Sequence, residues 1–295
     1  MSAALLLLPD FSLIALGALL RRLRNFDARF WAGVERLVYI VLFPALLFRS
    51  LATSTATPSE AWRLIVVGVT FTLAGMALAL LARPLLRLSD DTFAGCFQCA
   101  FRFNTYVALA AASRIGGAPA VAMISLLIGI LVPIVNVAAV AMLARRSEAR
   151  VLTALARNPL VLACVAGIAY NVAGLPMPAL PGRILELLSA AALPLGLLAV
   201  GAGLAFERGT LPWTAIACFN GIKLVALPAI AFWMARAMEL DALAQRVAVT
   251  MAAVPTATSA YILAVQMLGK GAAVALLIST GTLMAVITLP LWLSI

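Results

Sequence analysis

Histidine is missing from this sequence altogether, and charged residues make up only 11% of it. Without histidine there is no HExxH zinc site, no histidine-ligated haem and no imidazole proton relay. A soluble domain carries roughly 25% charged and about 45–50% apolar residues; here the apolar share is 65%. No water-soluble fold hides that much apolar surface.

Cysteine is scarce as well, and Cys96, Cys99, Cys164 and Cys218 all fall inside apolar runs. Cys96 and Cys99 form a CxxC, but with no histidine to complete a mixed metal site they read as small residues packing between helices, in preference to a metal or redox pair. No GxSxG is present, and Gly269-Lys270-Gly271 lacks the upstream glycine and the following Ser or Thr of a phosphate-binding loop. The expectation is a protein that is not an enzyme and uses no cofactor and no metal.

What is abundant is long apolar sequence. A spanning helix takes about 20 mostly apolar residues, and 295 residues with short loops hold about ten of them. Windows bounded by Arg, Pro, Gly or acidic clusters place these segments near 3–20, 33–52, 62–82, 92–113, 118–143, 159–175, 184–205, 212–235, 246–267 and 272–293. The expected fold is therefore an all-α integral membrane protein of ten transmembrane helices. Arg21, Arg22 and Arg24 follow the first apolar run, the reverse of a cleavable signal peptide, so that segment is retained.

The net charge of +10 would suit nucleic acid in a soluble protein, yet the arginines cluster between apolar runs and describe topology instead. Thirteen Lys and Arg residues lie near the odd-numbered loops, six near the even ones, and Arg102 and Lys223 lie within spans. By the positive-inside rule the odd loops are cytoplasmic, which puts both termini outside. Membrane lipid is the expected surrounding, and no nucleic acid is an expected partner.

The polar stretch 144–158 reads as a cytoplasmic linker between a first five-helix unit, 1–143, and a second, 159–295. The two halves resemble each other. A shift of 153 lays Arg114 to Leu126 on Met267 to Ser279, pairing Gly116 with Gly269 and Thr105 with Thr258. A shift near 150 brings Pro44 onto Pro194, each eight or nine residues after a glutamate, Glu35 and Glu186. Five is odd, so two such units joined in sequence enter the membrane from opposite sides and form inverted repeats.

Segment four carries Phe101 to Ala110 (FRFNTYVALA), and its mate, segment nine, carries Ala253 to Ala264 (AVPTATSAYILA). Each is an apolar span interrupted at mid-depth by polar residues. Pro255 lacks an amide proton and predicts a kink or opening of segment nine. If both helices break, their second halves begin near Thr105 and Ala257, with N-terminal amides and partial positive charge meeting at the midplane. The plainer alternative is a structural proline kink whose hydroxyls bond back to their own helices.

Arg102, deep in segment four, and Lys223, near the middle of segment eight one turn from Asn220, place cationic charge where it costs at least about 2.5–3.5 kcal/mol. They can serve an anionic guest or bind carbonyls freed by the breaks. Asp10, after Pro9 in the first span, is a candidate for proton coupling or an interfacial residue. Asn136, after Pro133, can line the same cavity or bond between helices. The expectation is a secondary transporter of a small organic anion, a carboxylate, held through Asn104, Thr105, Pro255, Thr256 and Ser259 with support from Arg102 or Lys223, while Tyr106 and Tyr261 shape the pocket. A membrane channel or a ligand-binding membrane receptor is the alternative.

The segments FRFNTY (Phe101 to Tyr106), NPLVLACVAGIAYNVAGLPMP (Asn158 to Pro178), ALPLGLLAVGAGL (Ala192 to Leu204) and VPTATSAYILAVQMLG (Val254 to Gly269) resemble the bacterial branch of the auxin efflux carrier family. That family is related in fold to plant PIN transporters and more distantly to bile acid sodium symporters. The resemblance implies two inverted five-helix repeats with broken crossing helices four and nine. It implies a scaffold from segments 1, 2, 6 and 7, a mobile transport domain from segments 3–5 and 8–10, an elevator-type motion, a homodimer and a cell (inner) membrane location. The family's crossover motif falls on Asn104, Thr105 and Pro255. Plant members carry a proline just before the segment-four asparagine, where this chain has Phe103. The sodium ligands of bile acid symporters have no obvious match.

Overall fold

The computed structural model describes residues 3–23, 25–55, 57–143, 158–205, 211–268 and 271–295. All but the last residue of the expected linker lies outside the described residues, as do Arg24, Arg145, Arg146, Arg150, Arg157, Arg208 and Lys270 of the charge count. Among the described residues the chain forms thirteen α-helices and no strand.

In chain order these are α1 (Ala3–Leu20), α2 (Ala28–Leu37), α3 (Phe43–Ala52), α4 (Pro58–Leu86), α5 (Asp90–Phe97), α6 (Thr105–Leu143) and α7 (Pro159–Val172). There follow α8 (Ala179–Ala202), α9 (Trp213–Gly221), α10 (Leu227–Ala237), α11 (Ala242–Ala253), α12 (Ser259–Leu268) and α13 (Ala272–Leu293). Among the described residues six stretches are long and apolar enough to cross a membrane, and α1, α7, α11 and α12 are shorter apolar helices.

Several helices start earlier than the hydropathy windows because polar caps extend them. Asp27 accepts from the amide of Phe30 at 2.9 Å, and Thr57 and Glu60 form a reciprocal capping box. Asn158 accepts from Leu160 and Val161 ahead of Pro159, and Asp241 from Leu243 and Ala244. Each cap satisfies amides that a helix start leaves open.

Two helix pairs are joined through a π-helical turn. Val38–Leu42 links α2 to α3, and Ile222–Ala226 links α9 to α10. Each turn lies just ahead of a proline, Pro44 or Pro228, which cannot donate to the carbonyl one turn back, and the widened register passes the ladder around it: Phe43 N–H reaches Val38 O, and Leu227 N–H reaches Ile222 O.

α6 is not one rod. Gly117 has φ 58° and ψ −142°, a conformation that a side chain disfavours, and the chain reverses there. The reversal is visible in the contact of Arg102 with Asn136, residues that a straight helix would hold about 50 Å apart. α1 packs along α8 at backbone distance. A Cβ on Gly17 would run into the carbonyl of Leu198, and one on Gly201 into the carbonyl of Ile14. Small residues are what let membrane helices approach this closely.

Candidate functional site

Segments four and nine both lose their helical hydrogen bonding at mid-length. After α5 a single 3-10 turn, Gln98–Ala100, leads into extended residues before α6 starts at Thr105. α11 ends at Ala253, and the chain runs extended through Pro255 until α12 starts at Ser259. The Pro255 break follows from its missing donor. Segment four opens although Phe103, not a proline, precedes Asn104, so its break is held by partners elsewhere in the fold.

Those partners come from the opposite break. Asn104 N–H donates to Pro255 O at 2.8 Å, Thr256 Oγ1–H donates to Cys99 O at 2.8 Å, and the Gln98 amide donates to Ala260 O at 3.1 Å. The Lys223 ammonium donates to Ala252 O at 2.5 Å. That carbonyl belongs to the last turn of α11 and has lost its helical partner, so Lys223 caps a helix C-terminus, where a cation is favoured. Freed backbone groups at this depth are tolerated only when protein or water satisfies them, and here the opposite break and the Lys223 side chain do so.

Asn104 does a second job. Its Oδ1 accepts from the amides of Tyr106 at 3.0 Å and Val107 at 3.3 Å, making it the N-cap of α6. Its Nδ2 has no hydrogen-bond partner although the residue is 1% exposed. Buried polar atoms are rarely left unpaired. Arg102, 5% exposed, donates to Ser259 Oγ at 3.3 Å and to Asn136 Oδ1, while its Nε is unpaired.

These groups line a cavity of about 560 Å³, a size suited to a small organic molecule. One wall is the break and the start of α6, Arg102 to Tyr106, backed by Asn136. A second is Ala257, Thr258 and Ser259 at the start of α12. A third is the α2 face, where Glu35, Arg36 and Tyr39 lead up to Phe43, whose ring packs 4.7 Å from that of Tyr106. Val132, Val135, Leu160, Ile262 and Leu263 supply apolar surface, and Asn158 and Gln266 polar groups.

Of the residues singled out in the sequence, Arg102, Asn104, Thr105, Tyr106, Asn136 and Ser259 meet in this wall. Pro255 and Thr256 are buried in the crossing and tie it together behind the wall. Tyr261 is 43% exposed and packs toward Gly271 instead of into the cavity. Asn220 donates to Thr280 Oγ1 at 3.0 Å and joins α9 to α13. Asp10 is 8% exposed and holds Arg114 through two contacts of 3.2 Å. Glu35, Arg36, Tyr39, Asn158 and Gln266 were not anticipated. A lone glutamate inside an apolar span and an Asn-Pro helix start were the signals for the first and fourth.

The profile of the family described as membrane transport protein matches residues 140–293, just over half of the chain. The chain belongs to that family. It is a membrane transporter, embedded by several helices, and the match supports the resemblance to auxin efflux carriers. Among curated proteins no relative matches the transporter. The match includes the segment-nine break, α12 and α13 but not the segment-four residues that face them.

Proposed function

We propose that this transporter carries a small carboxylate anion by alternating access, with the anion bound where the two interrupted helices cross. The observation that carries the proposal is the free Nδ2 of Asn104, buried beside an arginine and a helix N-terminus in the cavity wall. A carboxylate accepts from exactly such a set of donors, and a helix start favours the anion electrostatically. Asn104, Thr105, Arg102 and Ser259 hold the guest, Asn136 positions Arg102, and Tyr106 with Phe43 bounds its apolar part.

In this reading ten segments form two inverted five-helix units. Segments 1, 2, 6 and 7 form a scaffold, and the other six move as an elevator relative to it within a homodimer. The close α1–α8 contact through Gly17 and Gly201 supports one rigid unit containing segments 1 and 7. The lining residues Arg36, Asn158 and Gln266 lie near the ends of segments two, six and nine that adjoin odd-numbered loops, which supports access from the cytoplasmic side by the positive-inside rule.

Counterflow in proteoliposomes tests the proposal. Radiolabelled malonate, succinate and benzoate are supplied outside vesicles loaded with the same unlabelled acid. The transporter accumulates at least one label transiently, and Asn104→Ala and Arg102→Ala both reduce it strongly. Unchanged transport in both variants removes the proposed site.

A further inference from the structure

We infer that the Asp10–Arg114 ion pair is a latch on the outer side of this transporter, which holds the crossing shut on that side and parts in every transport cycle. The inference rests on the reading of the crossing as an alternating-access carrier. It deepens that reading by naming the contact that biases the balance between its two states.

In the proposed division α1, α3 and α7 belong to the scaffold and α6 to the moving unit. Of the ion pairs between described residues, Arg49–Glu186, Arg83–Asp90 and Arg183–Glu186 each stay within one unit. Asp10 and Arg114 cross the boundary, and Arg114 Nε and Nη2 each donate to one Asp10 oxygen at 3.2 Å. A second side-chain pair crosses it on another flank: the hydroxyls of Ser50, in α3, and Ser125, in α6, lie 2.8 Å apart. Beside them the Cys164 thiol of α7 donates to Ser125 O at 3.4 Å. The Ala205 backbone also bonds to Ser279 of α13, but there the chain itself passes from one unit to the other.

Both side-chain pairs lie on the far side of the crossing from the cavity mouth. Between Tyr106 and the Gly117 bend no residue of α6 lines the cavity, and none of α3 does after Phe43. Arg114 stands eight residues past Tyr106 and Ser50 seven past Phe43, roughly 10–12 Å onward along each helix. The lining residues Arg36, Asn158 and Gln266 mark the opposite end. By the positive-inside rule that end is cytoplasmic, and the two pairs seal the outer half.

The latch works because its two charges sit on different bodies. α1 is fixed to α8 at Gly17 and Gly201, so Asp10 stays in place while Arg114 travels with α6. An ion pair reaches about 4 Å, and travel by one helical turn, about 5.4 Å, separates the charges. Asp10 is then left without a partner on a helix face that it shares with the buried Leu7 and Ile14, where an unpaired charge is disfavoured. The pair therefore favours the state with the outer side closed. Because 44% of the Arg114 side chain is accessible, the bias is at most about fivefold in population.

The test reads which side of the membrane reaches the site. Thr258→Cys puts a thiol in the cavity wall at the start of α12, and a membrane-impermeant maleimide is given to intact expressing cells or to inside-out vesicles. The chain without that thiol supplies the background from the native cysteines. Adding Asp10→Asn or Arg114→Gln raises labelling in cells severalfold, up to about fivefold, while labelling in inside-out vesicles holds or falls. Arg114→Lys keeps the pair and both original rates. Arg114 is partly exposed near the end of its helical run, so Arg114→Gln reads the latch even if Asp10→Asn fails to fold. A rise on both sides marks general loosening and overturns the latch, and so do unchanged rates on both sides. Counterflow of malonate, succinate or benzoate that persists alongside unchanged labelling leaves the carrier reading standing. No counterflow of any of the three acids by wild type, with Thr258→Cys reached from one side only, overturns that reading and this inference with it.

Discussion

The backbone amide of Asn104 donates to the carbonyl of Pro255 at 2.8 Å, so the break in segment four is closed by the break in segment nine. Lys223 and Thr256 complete the junction from the side away from the cavity, on the carbonyls of Ala252 and Cys99. In the proposed reading, support and binding fall to different residues of one crossing, and substitutions should separate the two.

Lys223→Met leaves the Ala252 carbonyl without its donor in a site closed to water. An orphaned buried acceptor costs about 1–3 kcal/mol. The expected outcome is a lower Tm in detergent with unchanged affinity for whichever carboxylate the wild type binds, because Nζ is not in the cavity wall. A variant with wild-type Tm and lost binding would place Lys223 at the substrate instead.

Gly201→Ala puts a methyl group against the Ile14 carbonyl, and Gly17→Ala does the same to that of Leu198. Backbone on both sides leaves nothing flexible to yield, so α1 and α8 must separate. Overpacking of this kind costs about 1–3 kcal/mol. Both variants should melt earlier than wild type, whereas Gly33→Ala, where no atom lies within 4 Å of the added carbon, should not.

The helical, membrane-embedded character of the chain was legible because it depends on composition over long windows. The segment-nine opening was legible for a local reason, the missing amide of Pro255. Segment four carries no such mark: its opening depends on Asn104 capping α6 and on acceptors more than 150 residues away, which no window along the chain contains. The partner of Lys223 lies in the next segment, 29 residues on, and the Asp10–Arg114 pair spans 104 residues. Glu35 was visible only as a marker of the repeat, because the wall it joins is built by α6, α7 and α12. Helix starts at Ala28, Pro58 and Ala179 lay outside the apolar windows since polar first turns lower hydropathy while the caps or prolines there favour helix.

Asp10 and Arg114 join α1 to the part of α6 before the Gly117 bend. Arg114 is partly exposed, with 44% of its side chain accessible, so the pair should be worth no more than about 1 kcal/mol. Asp10→Asn and Arg114→Gln should each lower Tm, and the double variant should lose less than the sum of the two. Full additivity would show that the pair contributes nothing to the fold.

The central claim is that an anion binds against Asn104, and Asn104→Asp isolates it. Aspartate keeps the oxygen that caps α6, so Tm should hold, while the free amide donor is replaced by a negative charge facing the guest. Titration calorimetry of the wild type and Asn104→Asp with the carboxylate that gives the largest counterflow measures this directly. The expected result is a wild-type fold with affinity weakened on the order of tenfold or more, the loss of one charge-assisted bond plus repulsion. Equal affinity in the two proteins would contradict the account.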